Sequence, residues 1–469
     1  MEQMEKTAMS QVNQKVVVGL GKTGLSCARF LLQQGESVAV TDSRKEPPGL
    51  AELCTEHPGV KVCVGGFDTA LLKSANELIV SPGISLQEPA IKSAVQSGVP
   101  AIGDIELFSR YISRENSHII AITGSNGKST VTTLVGEMLR DAGHSVTVAG
   151  NIGLPVMDVL LSGDQAEFYV LELSSFQLET TFNLAPVVAT ILNISPDHLD
   201  RYDDIDGYIE AKQRIYDGCE IAVVNNNDAN TMPSVSGDAR LVTFGGASDD
   251  ATYRIQTVSG EQTIVRGDSA LMPLHEMALA DGHNVLNALA GLSIAHQVGV
   301  PDVSMVETLR TFSGLAHRCE FIRALHGVSW INDSKGTNVG ATISAISGVS
   351  QAYPGGLILI AGGDGKGASF DDLAAVVKQH VNCVVLIGAD APLIELALGK
   401  SCNLYHAISM EDAVTQSYCL ASGTGAVLLS PACASFDMFS GYEDRGRQFV
   451  ESINLLTDKL SETGELLNV

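Results

Sequence analysis

Short apolar runs recur along the chain, each closed by a cluster of glycine, serine or acidic residues and most followed by a stretch with helical spacing. Runs of this kind read as strands buried on both faces, and their alternation with helices predicts an α/β fold with parallel sheets. The expected strands are Lys15–Val18, Ser37–Val40, Leu78–Val80, Ile119–Ile122, Phe168–Leu173, Val187–Leu192, Val328–Ile331, Leu357–Ala361 and Ala426–Leu429. Helical spacing covers Val131–Leu139 and Tyr208–Tyr216. The pattern falls into three blocks, 1–106, 107–313 and 314–469, and 469 residues suffice for about three domains with cores of their own.

The chemistry sits where the apolar runs end. Gly124-Ser125-Asn126-Gly127-Lys128-Ser129-Thr130 follows Ile119–Ile122 and opens a helix. A glycine-rich turn brings backbone N–H groups to phosphate oxygens, the helix N-terminus adds partial positive charge, Lys128 neutralises the outer phosphates and Ser129 can ligate magnesium. The usual spacing wants a glycine five residues before Gly127, where this chain has Ile122, so the loop is shorter than the common P-loop. ATP is the ligand this predicts. Glu172, near the end of its strand, stands where nucleotide-bound magnesium is met, the bland reading being a carboxylate facing solvent. His198, after the next strand, is a candidate metal or substrate ligand. By spacing alone, Lys212 reads as a surface lysine, and Asn284 and Asn287 share a helix face suited to a base edge, an N-cap or a core amide.

The first block carries Gly19-Leu20-Gly21-Lys22-Thr23-Gly24 after a strand and Asp42 at the end of the next, the outline of a dinucleotide fingerprint. A nicotinamide cofactor, another nucleotide and a structural turn all remain open. Ser81 begins a further sharp turn at a strand end. In the third block, Asn332–Asn338, Gly362–Gly367 and Ser430–Asp437 each follow a strand, so a parallel sheet would gather them in one crevice.

Charge and composition narrow the partners. The balance of 29 Lys+Arg against 54 Asp+Glu gives −25, which argues against nucleic acid or an anionic membrane. Nine cysteines without a Cys-x-x-Cys pair suggest neither a disulfide framework nor a zinc site. Met1 to Gln14 is polar and no apolar run has transmembrane length, so a cytoplasmic protein without membrane insertion is expected.

Taken together, Gly124–Thr130, Leu171–Glu179, His283-Asn284 with Asn287, Trp330–Asn338, Gly362–Lys366 and Ser430–Ser435 resemble the Mur ligases of peptidoglycan synthesis, over essentially the whole chain. Within that family the motifs are most similar to those of members adding D-glutamate to UDP-N-acetylmuramoyl-L-alanine. The resemblance implies a Rossmann-like N-terminal domain binding the uridine nucleotide, a central P-loop ATPase-like domain, and a C-terminal Rossmann-like domain receiving the acceptor. It further implies ATP contacts at Gly124, Ser125, Asn126, Gly127, Lys128, Ser129, Thr130, Asn287, Arg318 and Asp333. Lys22, Thr23, Asp42, Ser43, Arg44, Ser81, Asn151 and His198 would bind the UDP-substrate, and Lys335, Thr337, Lys366, Ser435 and Tyr442 the acceptor. Metal ligands would be Ser129, Glu172, His198 and Lys212, holding two Mg2+ ions, with Lys212 carried as a carbamate; Lys128, His198 and Lys212 would be catalytic. Ser43, Gly336 and Tyr442 stand where relatives often carry threonine, alanine and phenylalanine. A monomer is expected. A sibling Mur or folylpolyglutamate-type ligase with a different acceptor or substrate, a nicotinamide oxidoreductase and a P-loop switch are the competing classes.

Overall fold

The computed structural model describes residues 14–463 apart from 114, 198–200, 203, 235–237, 247–249, 280–281, 354–355 and 422–424. Strands β1 (Gln14–Val18), β2 (Ser37–Asp42), β3 (Lys61–Val64), β4 (Glu77–Val80) and β5 (Ala101–Ile102) form an all-parallel sheet in the order β3-β2-β1-β4-β5. Its order reverses between β1 and β4, which opens a crevice at their carboxyl ends.

The second sheet contains β6 (His118–Thr123), β7 (Val146–Gly150), β8 (Phe168–Glu172), β9 (Val188–Ile191), β10 (Ile221–Asn225), β11 (Arg240–Phe244), β12 (Tyr253–Val258), β13 (Glu261–Arg266) and β14 (Ser269–Pro273). Their order is β14-β13-β12-β11-β10-β9-β6-β8-β7, with β6 at the switch between β8 and β9. The third sheet, β15 (Glu320–Leu325), β16 (Val328–Asn332), β17 (Leu357–Gly362), β18 (Cys383–Ile387), β19 (Asn403–His406) and β20 (Gly425–Leu429), runs β15-β16-β20-β17-β18-β19. All nine expected strands are present to within a residue or two at each end. The expected strands did not include the parallel β3, β5, β7, β10, β11, β18 and β19, nor the hairpins β12–β13 and β13–β14 and the antiparallel edge strand β15. The hairpin and edge strands carry few fully buried positions, so their pattern is mixed rather than apolar.

The described residues belong to two compact units. The first runs to Ile194 and takes in Asp206–Leu274 and Asn287–Arg310; the second consists of Ser195–Ile205, His275–Leu286 and Thr311–Val469. Inside the first unit, one continuous apolar core joins Val17, Val40 and Ile79 of the first sheet to Ile119, Tyr169 and Leu171 of the second, with Phe108 packed edge-on against Tyr169. The helix Asp104–Tyr111 makes the polar part of this seam: Glu106, fully buried, accepts from Phe182 N, Asn183 N and Asn183 Nδ2 at 2.8–2.9 Å. No described helix is long and apolar enough to cross a membrane.

Asp104, in the same seam, accepts from Gln177 Nε2 at 3.2 Å while its other oxygen is buried without a partner among the described residues. Burial raises its carboxyl to about 6, against the Gln177 amide and helix N–H groups that favour the anion. Between an unfolded value of ~3.9 and that figure, the folded chain holds a proton the unfolded chain has released, so stability falls as pH rises through this window and is level above it. Asp104→Asn should therefore raise the melting temperature at pH 8 and leave it nearly unchanged at pH 4. Equal shifts at both pH values in a thermal scan would contradict this assignment.

Candidate active site

The loop after β6 turns on two glycines. Gly124 has φ +152° and Gly127, the N-cap of the helix Lys128–Asp141, has φ +81°, a left-handed conformation that side chains resist. A Cβ on Gly127 would also lie 2.4 Å from Asn287 Oδ1, which places that asparagine directly against the loop. Lys128 folds over the loop and donates to Gly124 O at 2.8 Å and Ser125 O at 2.9 Å. Ser129 and Thr130 are buried in the first helical turn.

Around this loop the structure gathers several expected residues. Glu172 ends β8 almost fully buried; its Oε1 accepts from Asn151 Nδ2 at 2.7 Å and its Oε2 is buried with no hydrogen-bond partner among the described residues. Gly150, φ +105°, lets the backbone of Asn151 come close enough to donate to Glu172 O at 2.8 Å. Lys212 overturns the reading of a surface lysine. It is 1 % exposed on the helix Ile205–Gln213, and its Nζ donates to Gly124 O at 2.9 Å and Thr123 Oγ1 at 3.1 Å, 4.6 Å from the Tyr208 ring centre. His198 lies outside the described residues.

The first sheet presents a separate cluster at its switch point. Gly19 has φ +92° and Gly24 packs so closely that a Cβ would stand 1.8 Å from Gly19 O, while Ser81 Oγ donates to Gly19 O at 3.1 Å. Asp42 accepts from Leu20 N at 2.7 Å and from Arg44 Nε and Nη2 at 2.9 and 2.7 Å. Burial pushes this carboxyl up, but the Arg44 guanidinium and the two backbone N–H groups outweigh it and hold it below its ordinary value. Lys22 and Thr23 start the helix Lys22–Gln33, and Ser43 is exposed beside Arg44.

In the second unit, β16, β20 and β17 are neighbours, so the three polar clusters do meet at one sheet edge. Asp333 accepts from Ser430 Oγ at 2.7 Å and Cys319 N at 3.2 Å; burial lifts its carboxyl to about 6 despite that hydroxyl and the nearby Arg318. Lys335 Nζ lies 3.6 Å from the Tyr442 ring centre, and Thr337 N donates to Lys335 O. Lys366 Nζ pairs with Asp197 at 3.3 Å, whose other oxygen accepts from Asn338 Nδ2. Ser435 is buried, and its carbonyl accepts from Met438 N and Phe439 N.

Residues 13–103 match the Mur ligase MurD-like N-terminal domain, 122–295 the Mur ligase middle domain, and 317–433 the Mur ligase glutamate ligase domain. A UDP-N-acetylmuramoylalanine--D-glutamate ligase of Nitrosococcus oceani is 48% identical over 93% of this chain and 96% of its own. The protein of the same name from Marinobacter nauticus is 50% identical over 92% of this chain and 96% of its own. The chain belongs to the Mur ligase family.

Solved Mur ligases share the fold. The MurF ligase of Thermotoga maritima in complex with ADP superposes with a TM-score of 0.62 at 16% identity, covering 96% of this chain and 99% of that one. The UDP-N-acetylmuramate-alanine ligase MurC of the same organism gives 0.59 at 21%, covering 94% and 99%. Two residues of this Mur ligase escaped the sequence reading. Arg445, fully buried, donates from all three guanidinium nitrogens to Ser334 Oγ and the carbonyls of Ser334, Cys433 and Ala434 at 2.8–3.2 Å. Burial lowers it to about 10, and it has no ion pair among the described residues. In the sequence it is one charge among several in an ordinary helical stretch. The second, Asn193, bonds the phosphate loop, and its only signal is its place at a strand end.

Proposed function

We propose that this Mur ligase joins D-glutamate to UDP-N-acetylmuramoyl-L-alanine in the cytoplasm, at the expense of ATP, for peptidoglycan precursor synthesis. The observation that carries the reading is the grouping of Lys128, Glu172, Lys212 and Asn287 around one phosphate loop, in a chain matched over 93% of its length by a ligase of that name. The domains we assign are 1–106 for the uridine nucleotide, 107–313 for ATP and 314–469 for the acceptor.

In this reading the N–H groups of the helix start hold the nucleotide phosphates and Lys128 draws the γ-phosphate toward the substrate carboxylate. Phosphoryl transfer gives an acyl phosphate and ADP. The amine of D-glutamate attacks the acyl carbon, the tetrahedral intermediate expels inorganic phosphate, the nitrogen loses a proton, and an amide remains. Lys22, Thr23, Asp42, Ser43, Arg44 and Ser81 hold the uridine nucleotide, and Asn151 with His198 the muramoyl portion. Arg318 and Asp333 assist Asn287 in holding ATP.

The buried, unpartnered Oε2 of Glu172 suits a hard cation, and Ser129 would share that ion. Magnesium supplies charge neutralisation at the phosphate oxygens. His198 and Lys212 would hold a second ion, with Lys212 as a carbamate. Its burial beside the loop supports this; as an ammonium it donates to both Gly124 O and Thr123 Oγ1, and a carbamate, with a single N–H, would keep one of these bonds and supply oxygens that could hold the ion.

Lys335, Thr337, Lys366, Ser435 and Tyr442 receive the acceptor. Lys366 has φ +52°, a strained setting for a side chain, and Asp364 Oδ1 accepts its backbone N–H at 2.9 Å. Phosphate release with UDP-N-acetylmuramoyl-L-alanine and a panel of amino acids tests the proposal: D-glutamate should be used, and L-glutamate and neutral D-amino acids should fail. Comparable rates with a neutral acceptor would reject it. In the same assay Lys366→Ala should raise the D-glutamate KM about tenfold or more and leave the ATP KM near its native value, as loss of a charge-assisted bond requires.

A further inference from the structure

The phosphate loop is gripped from the neighbouring strand end. Asn193 follows β9, and its Oδ1 accepts the Asn126 N–H at 2.8 Å while its Nδ2 donates to Asn126 O at 3.0 Å. The backbone carbonyl of the same residue accepts the Ser125 N–H at 2.9 Å. One asparagine therefore satisfies three backbone polar groups on two consecutive residues of a loop that is shorter than usual and has Ile122 in place of a glycine.

The asparagine is itself fixed. Leu192 O, on one side, accepts from the buried Asn225 Nδ2 at 2.9 Å. Ile194 N, on the other, donates to Asp228 Oδ2 at 2.7 Å. Both supports come from the end of β10 and its following turn, so the carboxamide is aimed at Asn126 by a frame held on both sides. Gly124 completes the fit, since a Cβ there would come 3.1 Å from the Leu192 Cβ.

We propose that Asn193 is a positioning residue for the nucleotide: it acts through Ser125 and Asn126, setting the path of the loop so that the N–H groups from Gly127 onward face the phosphates. This rests on reading Gly124–Thr130 as the nucleotide site. It also redefines two expected contacts, because the N–H groups of Ser125 and Asn126 are directed to Asn193.

The test is titration of ADP in magnesium buffer into the full chain, with binding of UDP, the part of the substrate assigned to the first sheet, as the control. Asn193→Ala should weaken ADP about tenfold, the loss of two hydrogen bonds in a preorganised loop, with the UDP affinity unchanged. Asn193→Asp keeps the acceptor for Asn126 N–H but sets an oxygen against Asn126 O, and should be no better than alanine. Asn225→Ala, which frees Leu192 O without touching the loop, should weaken ADP by a smaller factor. ADP affinity within twofold of native in Asn193→Ala, or equal losses for both ligands, would overturn the inference. Failure of the native chain to bind ADP would instead sink the nucleotide reading beneath it.

Discussion

Lys128→Ala should lower turnover about 1,000-fold, the scale expected when a group stabilising charge in the transition state is removed, equivalent to roughly 4 kcal/mol. The side chain reaches across the loop to Gly124 O and Ser125 O, so it is held in place before any phosphate arrives. Its removal should spare the fold, because both acceptors are backbone carbonyls in a loop also fixed by Asn193. Phosphate release measured beside a circular dichroism spectrum decides the matter. A folded variant with near-native turnover would remove Lys128 from the chemistry.

The second large effect concerns Lys212. Arginine retains a positive charge at all accessible pH values and cannot form a carbamate under these conditions, so Lys212→Arg and Lys212→Ala should both lose about 100-fold or more. The buried site makes arginine a tight fit, and the carbon dioxide response separates that trivial cause from the chemical one. Native activity should fall in carbon-dioxide-free buffer and return on adding bicarbonate. Substantial activity in Lys212→Arg, or indifference to bicarbonate, would establish the ammonium as the working form.

Much of the architecture was legible because parallel strands buried on both faces are written as local apolar runs. The glycine turn at Gly124–Gly127 was legible for the same reason, since strand, glycines, lysine and helix are contiguous. The side chains that escaped depend on partners distant in sequence. Lys212 occupies a position whose spacing suggests solvent, yet its acceptors lie 88 and 89 residues earlier at Gly124 and Thr123. Arg445 sits in a charged helical stretch, and only the closure of loops after β16 and β20 supplies the carbonyls that bury it. The hairpin between β12 and β13 turns on Ser259 and Gly260, with φ +53° and +89°, a dipeptide that signals a turn but was masked by mixed strand patterning. The limit at 106 falls inside the helix Asp104–Tyr111, because a helix shared by two sheets carries no break in its own periodicity.

The buried arginine also orders events during synthesis. Its helix, Tyr442–Thr463, is translated after every strand of the third sheet, while the carbonyls it binds belong to loops made earlier. Until that helix leaves the ribosome and docks, Ser334, Cys433 and Ala434 lack their guanidinium partner and the loops bearing Lys335 and Ser435 have no common anchor. A nascent chain can form the loop after β6 long before this point, but the sheet edge with Lys335 and Ser435 is assembled only once that later helix has docked.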